Sequence, residues 1–157
     1  MKQNALIVYF SATGNTKKAA EAIQKYTNAD IFRLKATHPY EIHGMQWNDR
    51  IDIEGKTNAY PSIANKISNW DDYSLIYLGS PIWFWGEPSR IMATFFKEYD
   101  FKNKIVAPFY TSMETPVEKA MQGFKKIAKP AHAKLLNGFQ YTGNNLYLHK
   151  WLKYIHS

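Results

Sequence analysis

A dense group of small polar side chains lies near the start of the chain, directly after an apolar run. The segment from Ser11 to Thr16 reads Ser-Ala-Thr-Gly-Asn-Thr, and residues with helical spacing follow it. The start of a helix leaves backbone N–H groups unpaired and carries positive partial charge, so it favours an anion. Gly14 permits a tight turn, and three hydroxyl groups and the Asn15 amide can donate hydrogen bonds. The pattern predicts a phosphate-binding loop built from uncharged donors.

Other interpretations of this loop are weaker. The segment has one glycine, so it matches neither the dinucleotide-binding pattern G-x-G-x-x-G nor the P-loop pattern G-x-x-x-x-G-K-[ST]. Thr13 or Asn15 could simply cap the first helix, as small polar residues commonly do. The density of donors after an apolar strand favours phosphate binding over a cap.

A second group of candidate site residues follows another apolar run. Gly79–Gly86 reads Gly-Ser-Pro-Ile-Trp-Phe-Trp-Gly, with three consecutive aromatic residues, Trp83, Phe84 and Trp85. Large aromatic side chains in a loop are costly to expose to water unless they cover something. A planar ligand is one candidate for what they cover. An aromatic lid that packs on the fold itself, or a dimer contact, is the alternative.

The elements that must position these loops follow a regular alternation. Apolar runs at Ala5–Phe10, Leu75–Leu78 and Ile105–Tyr110 predict strands covered on both faces, while Asp30–Leu34 predicts an edge strand and Leu135–Tyr141 a fifth strand. Helical spacing occurs in five sets, namely Ala19, Ala20, Ile23 and Tyr26; Ile63, Ile67 and Trp70; Ile91, Met92, Phe95, Phe96 and Tyr99; Val117, Ala120, Met121 and Phe124; and Leu148, Trp151, Leu152 and Ile155. This alternation predicts an α/β fold with an open parallel sheet, helices on both faces, and ligands beyond the carboxyl ends of the strands.

Two features resist this scheme. Pro108 falls inside a predicted central strand, where it removes a ladder hydrogen bond, so we expect a bulge or a strand end nearby. The stretch Lys35–Tyr60 is long and weakly patterned for a connection in a compact domain. We expect a short helix within it, near Gln46–Ile53.

Length and composition exclude several classes of protein. The chain has 157 residues, 45% of them hydrophobic, which is typical of a single domain spanning residues 1–157. It has no cysteine, which excludes disulfides, thiolate metal sites and a cysteine nucleophile. No apolar run approaches the roughly 18 residues of a membrane span, and the first run is too short for a secretory signal. We therefore expect a cytoplasmic protein.

The charge balance is positive, at 20 Lys and Arg against 13 Asp and Glu, or +7. The positive charges are scattered and form no basic tract, so a lysine-rich solvated surface explains them more simply than nucleic-acid binding does. The histidines show no metal-ligand spacing, and we predict no metal site; they are His38, His43, His132, His149 and His156.

The two polar and aromatic loops together resemble those of the flavodoxins. The segment from Tyr9 to Thr16 matches every defining position of the flavodoxin phosphate loop, [ST]-x-T-G-x-T. Gly79–Gly86 resembles the pattern G-x-P-[IY]-W-W-G of the short-chain group of that family, and the order and spacing of elements agree along the whole chain. The resemblance implies a flavodoxin-like fold, with a five-stranded parallel sheet in the order 2-1-3-4-5, and FMN as cofactor.

The resemblance also implies which residues contact FMN. The first loop would hold the terminal phosphate, the aromatic loop would cover the flavin ring, and a loop after the fourth strand would complete the site. The implied cofactor-binding residues are Ser11, Ala12, Thr13, Gly14, Asn15, Thr16, Pro81, Ile82, Trp83, Phe84, Trp85, Gly86, Thr111, Ser112 and Met113.

The loop after the fourth strand departs from the family pattern T-S-G-G-S-G. Thr111 and Ser112 match its start, but Met113 and Glu114 occupy the positions of the two glycines. This departure opposes a close approach of the main chain to the flavin. Glu114 could project toward the ring, but we favour a place in the first turn of the next helix, where a carboxylate is stabilised.

The function implied by the resemblance is electron transfer, with FMN cycling between oxidised, semiquinone and hydroquinone states. No general acid is evident, so we predict no catalytic residue, and the chain is either a carrier for a redox partner protein or a small oxidoreductase. Many flavodoxins are acidic, so the positive charge predicts a partner surface of different sign, or a contact that is less electrostatic.

The alternative function is an NAD(P)H-dependent quinone or azo-type reductase on the same fold. Lys17, Lys18 or Arg90 could then bind the phosphates of the nucleotide, although solvated side chains are the simpler interpretation. A flavodoxin-like fold that has lost its cofactor is a third alternative, supported only by the altered loop after the fourth strand.

Overall fold

The computed structural model describes residues 4–40, 46–83 and 86–157. Within these residues the strands are β1 (Ala5–Tyr9), β2 (Asp30–Arg33), β3 (Leu75–Pro81), β4 (Ile105–Thr111), β5 (Lys134–Leu135) and β6 (Phe139–Gln140). They form one parallel sheet in the order β2-β1-β3-β4-β5, and β6 also pairs with β4. The predicted α/β fold and its strand order 2-1-3-4-5 are thereby confirmed.

Helices connect the strands and cover both faces of the sheet. They are α1 (Asn15–Thr27), α2 (Gln46–Thr57), α3 (Ile91–Glu98), α4 (Val117–Ala128) and α5 (Asn145–Ile155). On β1, Leu6 and Val8 belong to a buried cluster with residues of α3 and α4, whereas Ile7 and Tyr9 belong to a cluster with residues of α1 and α5. Successive strand residues point to opposite faces, so burial on both faces explains the continuous apolar run of β1.

One predicted helix is wrong. Ile63, Ile67 and Trp70 have helical spacing, but the segment is extended or irregular until a single 3-10 turn begins at Trp70. Ile63 forms an antiparallel bridge with Ala36, and the Asn65 side chain donates to the carbonyl of Arg33, which ends β2, and accepts from the N–H of Lys35. Asparagine and serine side chains compete with helical hydrogen bonds in this way. The apolar spacing therefore reflects contacts with the core and not a helix.

The helix of this connection lies earlier, in the weakly patterned stretch. α2 begins at Gln46, as predicted, and continues to Thr57, beyond the predicted end at Ile53. Among the helices of the described residues, none is long and apolar enough to cross a membrane.

The predicted fifth strand is divided into two short pieces opposite Pro108. Val106 pairs with Leu135 in β5, and Phe109 pairs with Phe139 in β6. The segment of β5 and β6 therefore advances by four residues where β4 advances by three. The carbonyl groups of even-numbered β4 residues face this neighbour, because Val106 accepts from the N–H of Leu136. The backbone nitrogen of Pro108, which has no hydrogen to donate, therefore faces the interruption between β5 and β6. The extra residue at this interruption is the expected bulge.

Candidate functional site

Three loops meet at the carboxyl edge of the sheet. The first loop (residues 10–14) follows β1, the second loop (residues 82–90) follows β3, and the third loop (residues 112–116) follows β4. These three strands are adjacent and parallel. Backbone hydrogen bonds link their ends: the Phe10 N–H donates to the Gly79 carbonyl at 3.1 Å, and the Ile82 N–H donates to the Thr111 carbonyl at 3.0 Å. The topology therefore brings the three sets of predicted site residues to one edge.

The first loop presents the start of α1 without a side-chain cap. Gly14 is the N-cap residue, with φ of 99°, and among the residues that the structure describes no side chain caps the helix start. Its own N–H donates to Ser11 Oγ at 3.0 Å, and its carbonyl accepts the first helical bond, from Lys18. The N–H groups of the first helical turn before Lys18 have no intrahelical partner. Neither Thr13 nor Asn15 is a cap, so that alternative interpretation is excluded.

A buried and a half-buried hydroxyl group join the first helix to the end of β4, where the third loop begins. Thr16, in the first turn of α1, is 1% exposed, and its Oγ1 lies 2.7 Å from Oγ1 of Thr111 at the end of β4. Each hydroxyl group carries one proton, so this contact uses one of the two protons. The other remains to be donated to a further acceptor at the same place.

A cation behind the first loop was missed by sequence reasoning. Arg33 ends β2, and its Nη2 donates to the Ser11 carbonyl at 2.8 Å. Tyr9 of β1 pairs with Arg33, so the end of β2 lies beside the loop. The predicted strand order could have indicated Arg33, because adjacent parallel strands bring their last residues together.

Hydrogen bonds join the two described parts of the second loop. The Trp83 N–H donates to the Glu87 carbonyl at 2.9 Å, and the Gly86 N–H donates to the Trp83 carbonyl at 3.2 Å. Gly86 has φ of 74°, which is disfavoured for other residues. At the base of the loop, the hydroxyl groups of Ser80 and Ser89 are 2.8 Å apart and buried. Phe84 and Trp85 lie outside the described residues.

Trp83 belongs to an aromatic wall that also contains Phe10 and Tyr40. The ring of Trp83 contacts Phe10 at a centroid distance of 5.9 Å and Tyr40 at 5.2 Å, both edge to face. Phe10 and Tyr40 contact each other at 5.5 Å. Such pairs are favourable beyond the apolar area they bury. The wall therefore draws on the first loop, the second loop and the connection after β2.

Tyr40 is held in turn by a partly buried ion pair on α2. Its hydroxyl donates to the carboxylate of Glu54, 2.8 Å from Oε1 and 2.6 Å from Oε2. Arg50 Nε donates to the same carboxylate at 3.0 Å, and its guanidinium lies 3.6 Å from the centre of the Tyr40 ring. Burial, together with the bond to Glu54, raises the pKa of Tyr40 well above its usual value. Sequence reasoning missed Tyr40, Arg50 and Glu54, because the stretch that holds them has no clear pattern.

The third loop turns without glycine. Ser112 Oγ accepts from the N–H groups of Glu114, at 3.3 Å, and Thr115, at 3.0 Å, so one side chain holds the turn. Neither Met113 nor Glu114 has a positive φ. Met113 is 98% exposed, and Glu114 is also exposed. The expectation that Glu114 lies in the first turn of α4 is wrong, because that helix begins at Val117.

The basic residues suggested for nucleotide binding differ in their surroundings. Arg90 Nη2 donates to Asn58 Oδ1 at 2.9 Å, and Nε donates to the Ala59 carbonyl at 3.0 Å. The guanidinium also lies 4.3 Å from the centre of the Tyr60 ring. Lys17 and Lys18, in contrast, are exposed at the start of α1. Arg90 therefore ties the second loop to the end of α2.

The predicted site residues that the structure describes lie in or beside the three loops. Pro81 ends β3 and Ile82 follows it, and Ala12 is half-buried in the first loop. The structure thus brings together Ser11, Ala12, Thr13, Gly14, Asn15, Thr16, Pro81, Ile82, Trp83, Gly86, Thr111, Ser112 and Met113.

Comparison with known proteins agrees with this geometry. A family model described as flavodoxin matches residues 4–155. The chain belongs to the flavodoxin family. FMN is therefore its cofactor, as the resemblance implied.

Individual relatives of this flavodoxin-family chain are distant in sequence. Flavodoxin 1 of Salmonella typhimurium is 29% identical over 106 residues, covering 66% of this chain and 46% of that protein. Flavodoxin 1 of Escherichia coli K12 is 28% identical over the same extent. The chain thus spans about half the length of the curated relatives it matches, at 46%.

Solved structures match the fold over almost the whole chain. A crystal structure of a Bacteroides eggerthii protein has a TM-score of 0.88 and 28% identity, and 99% of each chain is covered. A flavoprotein from Lactobacillus acidophilus, crystallised in complex with FMN, has a TM-score of 0.80 and 24% identity, covering 96% of this chain and 99% of that one.

The residues of this flavodoxin-family chain fit an FMN phosphate. The start of α1 offers backbone N–H groups without a side-chain cap, and the hydroxyl pair of Thr16 and Thr111 has a proton left to donate. A side-chain carbon added at Gly14 would meet no atom within 4 Å, so the space beside the loop is open. This donor set suits an anionic group with several acceptor oxygens.

Proposed function

We propose that this flavodoxin-family protein holds FMN at the carboxyl edge of its sheet and uses it to transfer electrons. The observation that carries the proposal is the uncapped start of α1, with the hydroxyl pair of Thr16 and Thr111 beside it. A dianionic phosphate would accept from the backbone N–H groups of the first turn and from the side chains of Thr13 and Thr16. Arg33, bonded to the loop backbone, adds positive charge behind the phosphate.

The flavin ring would lie against the aromatic wall and the third loop. Trp83 offers an aromatic ring on the second loop, and Met113, on the third loop, offers an exposed apolar side chain. Bound FMN supplies one- and two-electron redox chemistry. The protein excludes water from one side of the ring and fixes its position, and an apolar wall disfavours additional negative charge on it.

A carrier is the function that the site supports best. Arg90, one of the side chains considered for a second nucleotide, is bonded to Asn58 and Ala59 and stacked on Tyr60. Among the residues of the three loops that the structure describes, no contact favours a nicotinamide nucleotide as a second ligand. We keep an NAD(P)H-dependent reductase as the alternative, to be separated by measuring steady-state NAD(P)H oxidation with a quinone acceptor.

The redox partner of the carrier would present an acidic surface. The two helices on one face of the sheet carry five lysines, Lys17, Lys18, Lys25, Lys150 and Lys153, against one acidic residue, Glu21. Lys17 and Lys18 lie in the first turn of α1, next to the proposed phosphate site. Charge of one sign beside a cofactor accelerates encounter with a partner of opposite sign, and salt weakens this effect.

The test of the proposed function is reconstitution of the purified protein. FMN and riboflavin are titrated separately into the flavin-free protein, and binding is followed by quenching of flavin fluorescence. We expect FMN to bind more tightly than riboflavin by at least about tenfold, because the phosphate adds charge-assisted hydrogen bonds. A protein that takes up no FMN, or that does not distinguish the two flavins, would refute the proposal.

A further inference from the structure

The connection between β2 and β3 brings an ion pair, with a buried carboxylate and a half-buried cation, to the edge of the proposed flavin site. Glu54 is 7% exposed, and its carboxylate accepts hydrogen bonds from Arg50 and from the hydroxyl of Tyr40. Arg50 Nη1 also donates to the carbonyl groups of His38, at 2.6 Å, and Pro39, at 2.9 Å. Arg50, Glu54 and Tyr40 are called the α2 triad below.

The α2 triad is built from mutually satisfied groups. Glu54 receives donors on both carboxylate oxygens, and the guanidinium of Arg50 stacks on the ring of Tyr40 while bonding the backbone just before it. Tyr40 is thereby fixed at its hydroxyl, at its ring face and through the adjacent backbone. A partly buried ion pair of this kind contributes little stability compared with apolar packing, so stability alone explains it poorly.

The α2 triad fixes the part of the aromatic wall that Tyr40 forms. The ring of Tyr40 contacts both Phe10 and Trp83, at centroid distances of 5.5 Å and 5.2 Å. A ring that cannot rotate or withdraw restricts the positions open to the rings it touches. The orientation of Trp83 therefore depends on the bonds that Tyr40 makes with α2.

We propose that Arg50, Glu54 and Tyr40 position Trp83 for the flavin and balance the charge next to it. This inference rests on the proposed function, since it assigns roles toward bound FMN. Arg50 and Glu54 carry opposite charges 3.0 Å apart, so the pair as a whole has little net field. Either charge alone, at this partly buried position, acts on the electron affinity of a nearby flavin.

The two charges must therefore shift the midpoint potential of bound FMN in opposite directions. Glu54→Gln leaves the Arg50 cation without its carboxylate, which favours the more negative, reduced form of FMN and raises the midpoint potential. Arg50→Gln leaves the Glu54 carboxylate without its cation, which disfavours reduced FMN and lowers the potential. Arg50→Gln combined with Glu54→Gln removes both charges and returns the potential toward that of the wild type.

The experiment measures the midpoint potential of bound FMN, at pH 8, in the wild type and these three variants. A merely structural role would loosen the site in every variant and would not produce shifts of opposite sign. Tyr40→Phe keeps the ring but loses the bond to Glu54; we expect FMN affinity to fall about fivefold and the visible circular dichroism of the flavin to change. Arg50→Lys, which keeps the charge, should restore a potential near that of the wild type.

Tyr73→Phe is the matched control for Tyr40→Phe. The Tyr73 hydroxyl also donates to a carboxylate, that of Asp30, but at the start of β2 and β3, the opposite edge of the sheet. We expect this control to leave the potential and the dichroism of bound FMN unchanged. Potentials that shift in the same direction, or not at all, in FMN-loaded Glu54→Gln and Arg50→Gln proteins would overturn the inference while leaving the proposed function intact. A wild type that binds no FMN would overturn both.

Discussion

The hydroxyl groups of Thr16 and Thr111 lie 2.7 Å apart although 95 positions separate them along the chain. Thr111 ends β4, and Thr16 lies in the first turn of α1. The contact joins the phosphate side of the proposed site to the loop on which we place the flavin edge. An acceptor bound there would complete a network that the two threonines only begin.

Substitution of Thr13 and Thr16 by alanine tests the phosphate assignment. Both side chains can donate to an anionic oxygen, and such a bond is worth roughly tenfold or more in affinity. We expect the double variant to weaken FMN by at least about tenfold and riboflavin by less than about threefold. Fluorescence titration with both flavins checks this result.

Thr142→Ala serves as the control for that double variant, because Thr142 is exposed and lies outside the three loops. It should bind both flavins as the wild type does. Equal losses of FMN and riboflavin affinity in the double variant would mean that the first loop does not hold phosphate.

Gly14→Ala should separate backbone strain from ligand binding. Gly14 has φ of 99°, and an added side-chain carbon meets no atom within 4 Å, so the cost is conformational. We expect a loss of about 1–2 kcal/mol in the free energy of unfolding, measured by urea denaturation of the flavin-free protein. FMN affinity should also fall, because the loop would relax away from this conformation.

The structure offers a matched control in Gly143, which has φ of 89° and equally open surroundings but lies between β6 and α5. Gly143→Ala should lose similar stability and keep its FMN affinity. If both variants lost FMN affinity alike, the effect would be one of general destabilisation.

Trp83→Leu tests the aromatic wall. The ring covers an apolar part of the proposed ligand and not its phosphate, so FMN and riboflavin should weaken by the same factor, about two- to tenfold. Trp83→Phe retains an aromatic ring and should recover part of the affinity. A loss confined to FMN would place Trp83 near the phosphate and contradict the proposed orientation of the ligand.

The buried tyrosines predict a loss of stability at alkaline pH. Burial raises the pKa of Tyr77 from 10.0 to about 12. The folded protein therefore keeps this proton where the unfolded chain has released it, and the stabilisation, complete below pH 10, is lost between pH 10 and pH 12. Each such group contributes at most about 1.4 kcal/mol per pH unit to the slope.

Urea denaturation of the wild type and of Tyr77→Phe at pH 9, 10 and 11 checks this slope. The variant should lose stability less steeply above pH 10, because phenylalanine has no proton to release. Tyr147→Phe, at a half-exposed position, should follow the wild type. Parallel curves for all three proteins would show that Tyr77 does not contribute.

The sequence predicted those parts of the fold in which local pattern and burial coincide. The runs that became β1, β3 and β4 are buried on both faces, so an apolar run was a sufficient signal. For the segment near Ile63 the same reasoning predicted a helix and was wrong, because the core contacts of an extended chain happen to repeat there at helical spacing. In such connections, the residues at which helices and strands begin and end depend on side-chain hydrogen bonds, such as those of Asn65. The spacing of apolar residues carries no information about these bonds.

For the candidate site, motif residues were predictable and their supporting residues were not. Gly14 and Trp83 lie in short segments whose composition is itself unusual. Arg33 reaches the first loop from another strand, and Tyr40 is joined to Glu54 across 14 positions, through a stretch with little pattern. Such residues become visible only when the topology places their strands and helices side by side.

The divided strand opposite Pro108 also affects how molecules of this protein meet in concentrated solution. On that flank the sheet ends in two fragments of two residues each, β5 and β6, offset by an extra residue. A second molecule would find no continuous ladder there on which to extend the sheet, so sheet-to-sheet growth is blocked on that side. Pro108 removes one hydrogen bond from the sheet, and the interruption opposite it protects this edge against aggregation.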